Sequence, residues 1–295
     1  MNAHMKKFYC NIGKNVVKYI VNYYAGENAL NIKDAKTIII KVGSSTLTYP
    51  TGMLNLRKIE LLIKCISDLQ NSGKRCVLVS SGAIPAGCGK LGVDISGMST
   101  AQKQAAAAVG QCELIDMYNR LFSEYGHTVA QILLTRDVVD DKNRLAHARA
   151  TFTSLLAMGC IPVVNENDTV SSDEINFGGN DTLSATIALL VEADLLINMS
   201  DVDGLYDSDP RRNEKAKLIT HITKIDEKLL SCAGEKGTQR GTGGMRAKLK
   251  AMQICESSGI SMVIVNGADP RILYGICEDD FVGTRFIPDK KENGK

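Results

Sequence analysis

The sequence predicts an α/β fold: a three-layer αβα sandwich built on a mainly parallel, open sheet. From residue 37 onward, short β-branched runs alternate with long segments of helical periodicity, which is the order typical of βαβ units. The predicted strands are mainly apolar runs, as strands are when helices cover both faces of a sheet. We therefore expect one domain with helices on both sides.

The elements can be predicted in order along the chain. Strands are expected at 37–42, 75–80, 127–133, 161–165, 194–199 and 261–266, and helices at 55–72, 100–123, 142–158, 180–191 and 244–258. In the first helix, Ile59, Leu62, Ile63 and Ile66 recur at helical spacing, and Gly73 marks its end. The polar stretch 169–176 is predicted to form a hairpin or an excursion from the sheet.

Outside this domain, which we place at residues 36–288, lie an N-terminal extension (1–35) and a C-terminal tail (289–295). The extension has lysines and one apolar helical face, which would suit a targeting or membrane-surface helix. Because its first 26 residues contain no Arg and no Ser, we expect instead a cytosolic extension that packs on the core. A start codon placed too far upstream is a further alternative.

Composition excludes several classes of function. The net charge of +2 comes without a long basic run interleaved with aromatics, so we expect no nucleic-acid partner and a small ligand. No stretch approaches the roughly 18 consecutive apolar residues of a membrane span, so we expect no membrane partner. The nine cysteines are an odd number without a Cys-x-x-Cys pair, which indicates reduced thiols and a cytoplasmic location.

Three turns at predicted strand or helix ends are candidates for chemistry. Segments 41–45 and 80–84 follow strands, and the glycine-rich segment 241–248 opens a helix, where backbone N–H groups favour an anion. Three such turns with two lysines suggest phosphoryl transfer, although each alone is often only a turn. A P-loop motif is missing, and we interpret the Gly-x-Gly-x-x-Gly pattern of residues 87–92 as a chance match because it begins seven residues after the strand.

Six motifs occur together in order. They are Lys41-Val-Gly-Ser-Ser-Thr-Leu47, Val79-Ser-Ser-Gly-Ala-Ile84, Val164-Asn-Glu-Asn-Asp168, Asn180-Asp181, Ser200-Asp-Val-Asp-Gly-Leu-Tyr206 and Gly241-Thr-Gly-Gly-Met-Arg-Ala-Lys248. From about residue 36 to 287 the chain resembles the glutamate 5-kinases of the amino acid kinase family. The resemblance implies ATP-dependent phosphorylation of the γ-carboxylate of L-glutamate, the first step of proline synthesis.

The resemblance also implies residue roles. Lys41 and Lys248 would flank the transferred phosphoryl group, and Asp181 would organise them. Ser81, Asp168 and Asn180 would contact glutamate. The nucleotide site would comprise Lys41, Ser200, Asp201, Thr242, Gly243, Gly244, Met245, Arg246, Ala247 and Lys248. ATP and Mg2+ are the implied cofactors, and no direct protein ligand of the metal is expected.

The chemistry of the residues agrees with these roles. The α-ammonium group of glutamate needs an anionic acceptor when it is desolvated, and Asp168 at a strand end could provide one. A carboxylate nucleophile, with a reference pKa of about 4.3, is already ionised at neutral pH and needs no general base. His127 and His147 are therefore expected to be structural. Asp203 is expected to form the Asp-x-Asp-Gly turn rather than to contact the nucleotide.

The resemblance further implies partners: a glutamyl phosphate reductase that takes the unstable acyl phosphate, proline as a feedback inhibitor, and a homo-oligomer, either a dimer or a tetramer. Three departures bear on regulation. Gly179 stands where the family commonly has an aspartate, the N-terminal extension is long, and the chain ends at Lys295 without room for the C-terminal PUA domain of many relatives.

The sequence is also compatible with other functions. A relative within the same family could act on acetylglutamate, aspartate, carbamate, uridylate or an isoprenoid phosphate. Asp168 argues for an acceptor with a free ammonium group, which acetylglutamate lacks. A non-catalytic sensor on the same fold could have lost the lysines, but both are present, and a nicotinamide dehydrogenase would rest on residues 87–92 alone.

Overall fold

The computed structural model describes residues 32–171, 177, 179–208, 210, 213–227, 229 and 244–288. The hairpin predicted for 169–176 lies largely outside these residues. So do both terminal segments, apart from residues 32–35 of the extension. The division into 1–35, 36–288 and 289–295 therefore stays a prediction.

Ten strands are found in the described residues. They are β1 (Thr37–Val42), β2 (Arg75–Val79), β3 (Val129–Leu134), β4 (Ile161–Glu166), β5 (Leu195–Ser200), β6 (Leu205–Tyr206), β7 (Leu218–Ile219), β8 (His221–Ile222), β9 (Ser261–Asn266) and β10 (Thr284–Phe286). Eight form one sheet in the order β3-β4-β2-β1-β5-β9-β10-β8, while β6 and β7 pair separately. All pairs in the large sheet are parallel except β9 with β10, which confirms the predicted fold class.

Helices cover both faces of this sheet. They are α1 (Ser44–Leu47), α2 (Leu56–Asn71), α3 (Ala83–Leu91), α4 (Thr100–Glu124), α5 (Arg136–Asp140), α6 (Lys142–Ala157), α7 (Asn180–Leu190), α8 (Met245–Ser257) and α9 (Ile272–Cys277). Helix α4 begins with a capping box, in which Ser99 and Gln102 satisfy each other's backbone N–H groups. None of the helices in the described part of the chain is both long and apolar enough to cross a bilayer.

The alternation of side chains along the central strand divides the core into two layers. Ile38, Ile40 and Val42 point to the layer that contains α2 and α4, whereas Ile39 points to the layer that contains α7 and α8. Lys41 lies two residues beyond Ile39 and therefore shares its face. The alternation of side chains along β1 thus directs the Lys41 side chain toward α7 and α8.

Chain order reverses between β1 and β5: β2, β4 and β3 lie on one side of this point, and β9 lies on the other. In open parallel sheets, ligands bind at such a switch point, beyond the carboxyl ends of the strands. Lys41 near the end of β1 and Ser200 at the end of β5 lie on either side of it. This is the edge where the sequence motifs converge.

For the elements that were predicted, the boundaries agree with the observed ones to within about two residues. Four described helices (α1, α3, α5 and α9) and four short strands (β6, β7, β8 and β10) were not predicted. Residues 83–91 form α3, so the Gly-x-Gly-x-x-Gly pattern lies within and just after a helix rather than in the first turn after a strand. A Cβ atom on Gly87 would lie 1.8 Å from the Ala106 carbonyl oxygen, and one on Gly110 would lie 1.8 Å from that of Ala83. These glycines allow α3 and α4 to pack backbone to backbone.

Candidate active site

A buried carboxylate at the start of α7 holds two lysines from different parts of the chain. Lys41 Nζ lies 2.6 Å from Asp181 Oδ1, and Lys248 Nζ lies 3.2 Å from Asp181 Oδ2. Asp181 is 1% exposed, Lys41 7% and Lys248 5%. The structure therefore brings together the three residues predicted to be catalytic, at the carboxyl edge of β1.

Electrostatics in this cluster favour the ionised carboxylate. Burial alone would raise the pKa of Asp181, but the Lys41 and Lys248 ammonium groups outweigh it and hold the pKa below its usual value of 3.8. Burial lowers the pKa of Lys41, and the Asp181 carboxylate opposes that shift.

Asn198 belongs to this cluster and was not predicted. Its Nδ2 donates to Asp181 Oδ1 at 3.0 Å, and its backbone pairs with Lys41 across β1 and β5. It is fully buried in a strand that is otherwise largely apolar. The only indication of this role in the sequence is a single amide side chain in the predicted strand 194–199. Its contact with Asp181 depends on the register between β1 and β5.

A second group of polar residues lies on the β2 and β4 side of the cluster. The Asn180 side-chain amide donates to the Ser80 carbonyl oxygen at 2.7 Å, to Ser81 Oγ at 2.8 Å and to Asn165 Oδ1 at 3.1 Å. Helix α7 therefore places Asn180 toward the ends of β2 and β4 and Asp181 toward the lysines. Of the predicted glutamate contacts, Ser81 and Asn180 touch each other directly.

Asp168, the third predicted glutamate contact, follows β4 and is half-buried. Burial, and then the nearby Glu166 carboxylate, raise its pKa to about 6. Burial also raises the pKa of Glu166, although that carboxylate accepts hydrogen bonds from Phe177 N and Ser171 Oγ, each at 3.0 Å. Within the described residues, no lysine, arginine or histidine forms an ion pair with either carboxylate.

The predicted nucleotide residues divide into three groups. Ser200 ends β5 and donates to Asp201 Oδ1 at 3.2 Å, so these two are neighbours at the switch point. Residues 244–248 form the start of α8, where open space faces Gly244 and Lys248 turns inward to Asp181. Thr242 and Gly243 lie outside the described residues.

Asp203 has structural partners, as the sequence predicted. Asn266 Nδ2 donates to its Oδ1 at 2.9 Å, and the Tyr206 hydroxyl donates to its Oδ2 at 3.1 Å. The Asp203 carboxylate therefore ties the turn after β5 to the end of β9. His127 is also tied to the framework, through Nε2 and the Ser67 carbonyl oxygen at 3.2 Å, while His147 is part of α6.

Gly179, where the family resemblance implies an aspartate, precedes α7 with φ 111° and ψ 159°. This backbone region is essentially restricted to glycine. An aspartate at this position would therefore adopt the observed backbone conformation only under strain. Among the described residues, no group of three or more His, Cys, Asp or Glu side chains gathers to hold a metal ion.

Comparisons with known proteins identify the family. The model of the amino acid kinase family matches residues 36–266. A glutamate 5-kinase of Clostridium perfringens is 50% identical over 265 residues, which is 88% of this chain and 98% of the relative. A glutamate 5-kinase of Clostridium tetani is 53% identical over 255 residues, 86% of this chain and 96% of the relative.

Solved structures share the fold at lower identity. UMP kinase from Bacillus anthracis superposes with a TM-score of 0.61 at 17% identity, covering 86% of this chain and 96% of that one. A carbamate kinase from Giardia lamblia bound to AMP-PNP gives 0.60 at 14% identity, covering 87% and 100%. At these identities the likeness concerns the fold alone.

Proposed function

The chain belongs to the amino acid kinase family and, within it, to the glutamate 5-kinases, and we propose how its residues perform that activity. The reaction is the ATP-dependent phosphorylation of the side-chain carboxylate of L-glutamate, which yields glutamyl 5-phosphate on the path to proline. The observation that supports the proposal most strongly is the pair of buried lysines on Asp181.

Lys41 and Lys248 neutralise the charge that spreads over the phosphoryl oxygens as the group migrates. Phosphoryl transfer requires positioned charge more than it requires covalent help from the protein. Asp181 contacts both ammonium groups and fixes their separation, and Asn198 holds one of its oxygens. Because these groups are oriented before the ligands bind, they need little rearrangement in the transition state.

The bond changes require no general base. A γ-carboxylate oxygen of glutamate forms a bond to the γ-phosphorus of ATP, the bond from that phosphorus to the β,γ-bridging oxygen breaks, and ADP leaves with the electron pair. The attacking carboxylate has already lost its proton at neutral pH. The site accordingly needs donors and cations near the phosphoryl group rather than a proton acceptor.

Glutamate binds on the β2 and β4 side of the lysine cluster. The Asp168 carboxylate binds the α-ammonium group of glutamate, and Asn180 and Ser81 supply polar contacts to the rest of the glutamate molecule. The raised pKa of Asp168 supports this role, because a carboxylate that is buried and lies near another negative charge gains most from a cation that arrives with the substrate. The side chain of glutamate then extends toward Lys41 and Lys248.

ATP binds on the β5 and α8 side. The first N–H groups of the 13-residue helix α8 and the open space beside Gly244 suit a phosphate group, while Ser200 and Asp201 border the rest of the nucleotide. Met245, Arg246 and Ala247 form the first turn of α8, and Thr242 and Gly243, which precede it in the sequence, are proposed to contact the nucleotide as well. When bound, Mg2+ supplies charge neutralisation on the ATP phosphates, without carboxylate ligands from the described residues.

The product and the family suggest partners in the cytoplasm. Glutamyl 5-phosphate is an acyl phosphate that hydrolyses in water, so a glutamyl phosphate reductase that accepts it promptly is a natural partner. We further propose proline as a feedback inhibitor and a homo-oligomer, dimeric or tetrameric, as the working form. Size-exclusion chromatography with light scattering, and ADP release in the presence of proline, test these two proposals.

One assay tests the activity itself. ADP release is measured with ATP, Mg2+ and either L-glutamate, N-acetylglutamate, aspartate or uridylate. We expect turnover with L-glutamate and at least about 100-fold lower kcat/KM with the other three, because each lacks the ammonium group or the chain length that Asp168 and the lysines require together. Preferred turnover of any other acceptor would overturn the proposal.

A further inference from the structure

Helix α4 carries three polar side chains that take no part in the proposed reaction. Gln104, Gln111 and Tyr118 are spaced by seven residues, so they lie on one face of the helix, one above the other. Gln111 and Tyr118 are 7% and 1% exposed, and Gln104 is half-buried. We call these three residues the α4 stripe.

Each member of the stripe bonds to a segment that borders the proposed glutamate site. Gln104 Nε2 donates to the Ser171 carbonyl oxygen at 3.1 Å, and Gln111 Nε2 donates to the Glu166 carbonyl oxygen at 3.2 Å. The Tyr118 and Ser80 hydroxyls are hydrogen-bonded at 2.9 Å. One helix face therefore holds the end of β2, the end of β4 and the segment after β4.

These contacts continue into the site. Ser171 Oγ donates to Glu166, whose carboxylate also accepts from Phe177 N, three residues before Asn180. Asn180 in turn donates to the Ser80 carbonyl oxygen and to Asn165 Oδ1. Gln111, Tyr118, Ser80 and Asn165 also line one small cavity beneath these groups. The Glu166 N–H donates to Asn165 Oδ1 at 2.9 Å, so the stripe, Ser80, Glu166, Ser171 and Asn180 form one hydrogen-bonded network.

We propose that Gln104, Gln111 and Tyr118 are positioning residues that set the affinity for the acceptor carboxylic acid independently of ATP. The inference rests on the proposed function, since it takes the residues between β2 and β4 as the acceptor site. The stripe acts through Ser80, Glu166 and Ser171, which set where Asp168 and Asn180 lie. A buried amide or hydroxyl is suited to this, because it has few alternative partners and holds its acceptor in one place.

The test compares three single variants, Gln104→Met, Gln111→Met and Tyr118→Phe, with the wild-type enzyme. Each removes the hydrogen-bonding atoms and keeps most of the side-chain volume. We expect KM for L-glutamate to rise about 5- to 10-fold, the effect of about one buried hydrogen bond. The KM for ATP and kcat are expected to stay within about 2-fold, because the stripe contacts neither the lysine cluster nor α8.

Tyr125→Phe provides a matched control. It makes the same chemical change seven residues after Tyr118, just beyond the end of α4, where the side chain is 41% exposed. All kinetic constants of this variant are expected to equal those of wild type. A second readout needs no turnover: the rise in Tm on adding L-glutamate should shrink in the stripe variants, whereas the rise on adding ADP should not.

The outcomes distinguish a failure of the positioning role from a failure of the proposed function. A proportional rise in both KM values, or an unchanged KM for glutamate in Tyr118→Phe and Gln104→Met, would overturn the positioning role. If wild type uses another acceptor, the proposed substrate fails, and the KM for that acceptor takes the place of glutamate in the comparison. Should Gln111→Met fail to fold, the other two variants decide the question, since Gln104 is only half-buried and Tyr118→Phe keeps the ring.

Discussion

The two ends of the active site treat their carboxylates in opposite ways. At the phosphoryl end, Asp181 contacts two buried ammonium groups, and its pKa is lowered. At the acceptor end, Glu166 and Asp168 lie close together, and the pKa of each is raised. Burial acts on all three groups, so the difference comes from the cations that the protein places beside one end and not, within the described residues, beside the other.

This difference indicates which charges the protein supplies and which the substrate brings. At the phosphoryl end the protein itself supplies the cations, as a site for a polyanion requires. The acceptor end holds anionic groups at a cost in free energy, and a ligand that carries an ammonium group relieves that cost. Ligand binding should therefore stabilise the acceptor end more than it stabilises the phosphoryl end.

The largest effect is expected from removing a cation. Lys41→Met and Lys248→Met should each lower kcat by about 100-fold or more, because the lost charge acts mainly in the transition state. Steady-state ADP release at saturating ATP and glutamate measures this, and circular dichroism checks that the variants are folded. Activity within about 3-fold of wild type in either folded variant would remove that lysine from the proposed mechanism.

Neutralising a carboxylate should have opposite effects on stability at the two ends. Asp181→Asn leaves two buried ammonium groups without their carboxylate and should lower the free energy of unfolding by about 3–5 kcal/mol. Asp168→Asn removes an ionised group whose neighbour is another carboxylate, so it should raise the Tm of the unliganded protein at pH 7.5. Urea and thermal unfolding without ligands measure both. Equal destabilisation by the two variants would contradict the comparison.

The pH dependence should come from the acceptor end. Because the pKa of Asp168 is raised to about 6, this group binds its proton more tightly in the folded state than in the unfolded state. Its contribution to stability therefore decreases as pH rises from about 4 to 6. Glutamate binding needs the ionised form, so kcat/KM for glutamate should fall about tenfold per pH unit below pH 6.

Asp168→Asn provides the control for this profile. The variant should lose the descending limb near pH 6 while retaining weak activity across the range. If the limb persists unchanged, another group is responsible for it. The lowered pKa of Asp181 has the opposite sign: its stabilising effect is present at neutral pH and is lost only as pH falls below its usual range.

A smaller effect is expected at Gly179, which joins the two ends. With φ 111°, both Gly179→Ala and Gly179→Asp should strain the backbone by about 1 kcal/mol or more and reduce kcat/KM several-fold. If charge mattered instead, Gly179→Asp would tighten glutamate binding or sharpen proline inhibition, and Gly179→Ala would not be impaired. Kinetics of both variants, with proline added, distinguish the two accounts.

The fold was predictable because its signal is local. Buried parallel strands are apolar runs, and amphipathic helices repeat at 3.6 residues, so β1 and β9 were predicted with their observed ends. Strand β10 has three residues and runs antiparallel, too short to give a period. Helix α3 was missed because its glycines look like a turn, although they serve its close contact with α4.

The site residues were predictable where a sequence motif contains them. They were not predictable where only the fold brings a residue from outside the motifs into contact with the site. Lys41, Asp181 and Lys248 came from the family resemblance, and the structure brings them together. Asn198 reaches Asp181 only because β5 pairs with β1 in one register. The α4 stripe is visible as a seven-residue period only after its partners are known, and the positive φ of Gly179 has no sequence signature beyond glycine itself.

The most direct test of the comparison determines whether the acceptor end of the site binds the ammonium group of glutamate. L-glutamate and glutarate, which lacks that group, are compared as acceptors for wild type and Asp168→Asn, with kcat/KM measured for each. Wild type should prefer L-glutamate by about 100-fold or more, the effect of an unpaired buried charge, and Asp168→Asn should lose most of that preference while its KM for ATP is unchanged. An equal preference in both enzymes would show that Asp168 does not bind the ammonium group and would contradict the account.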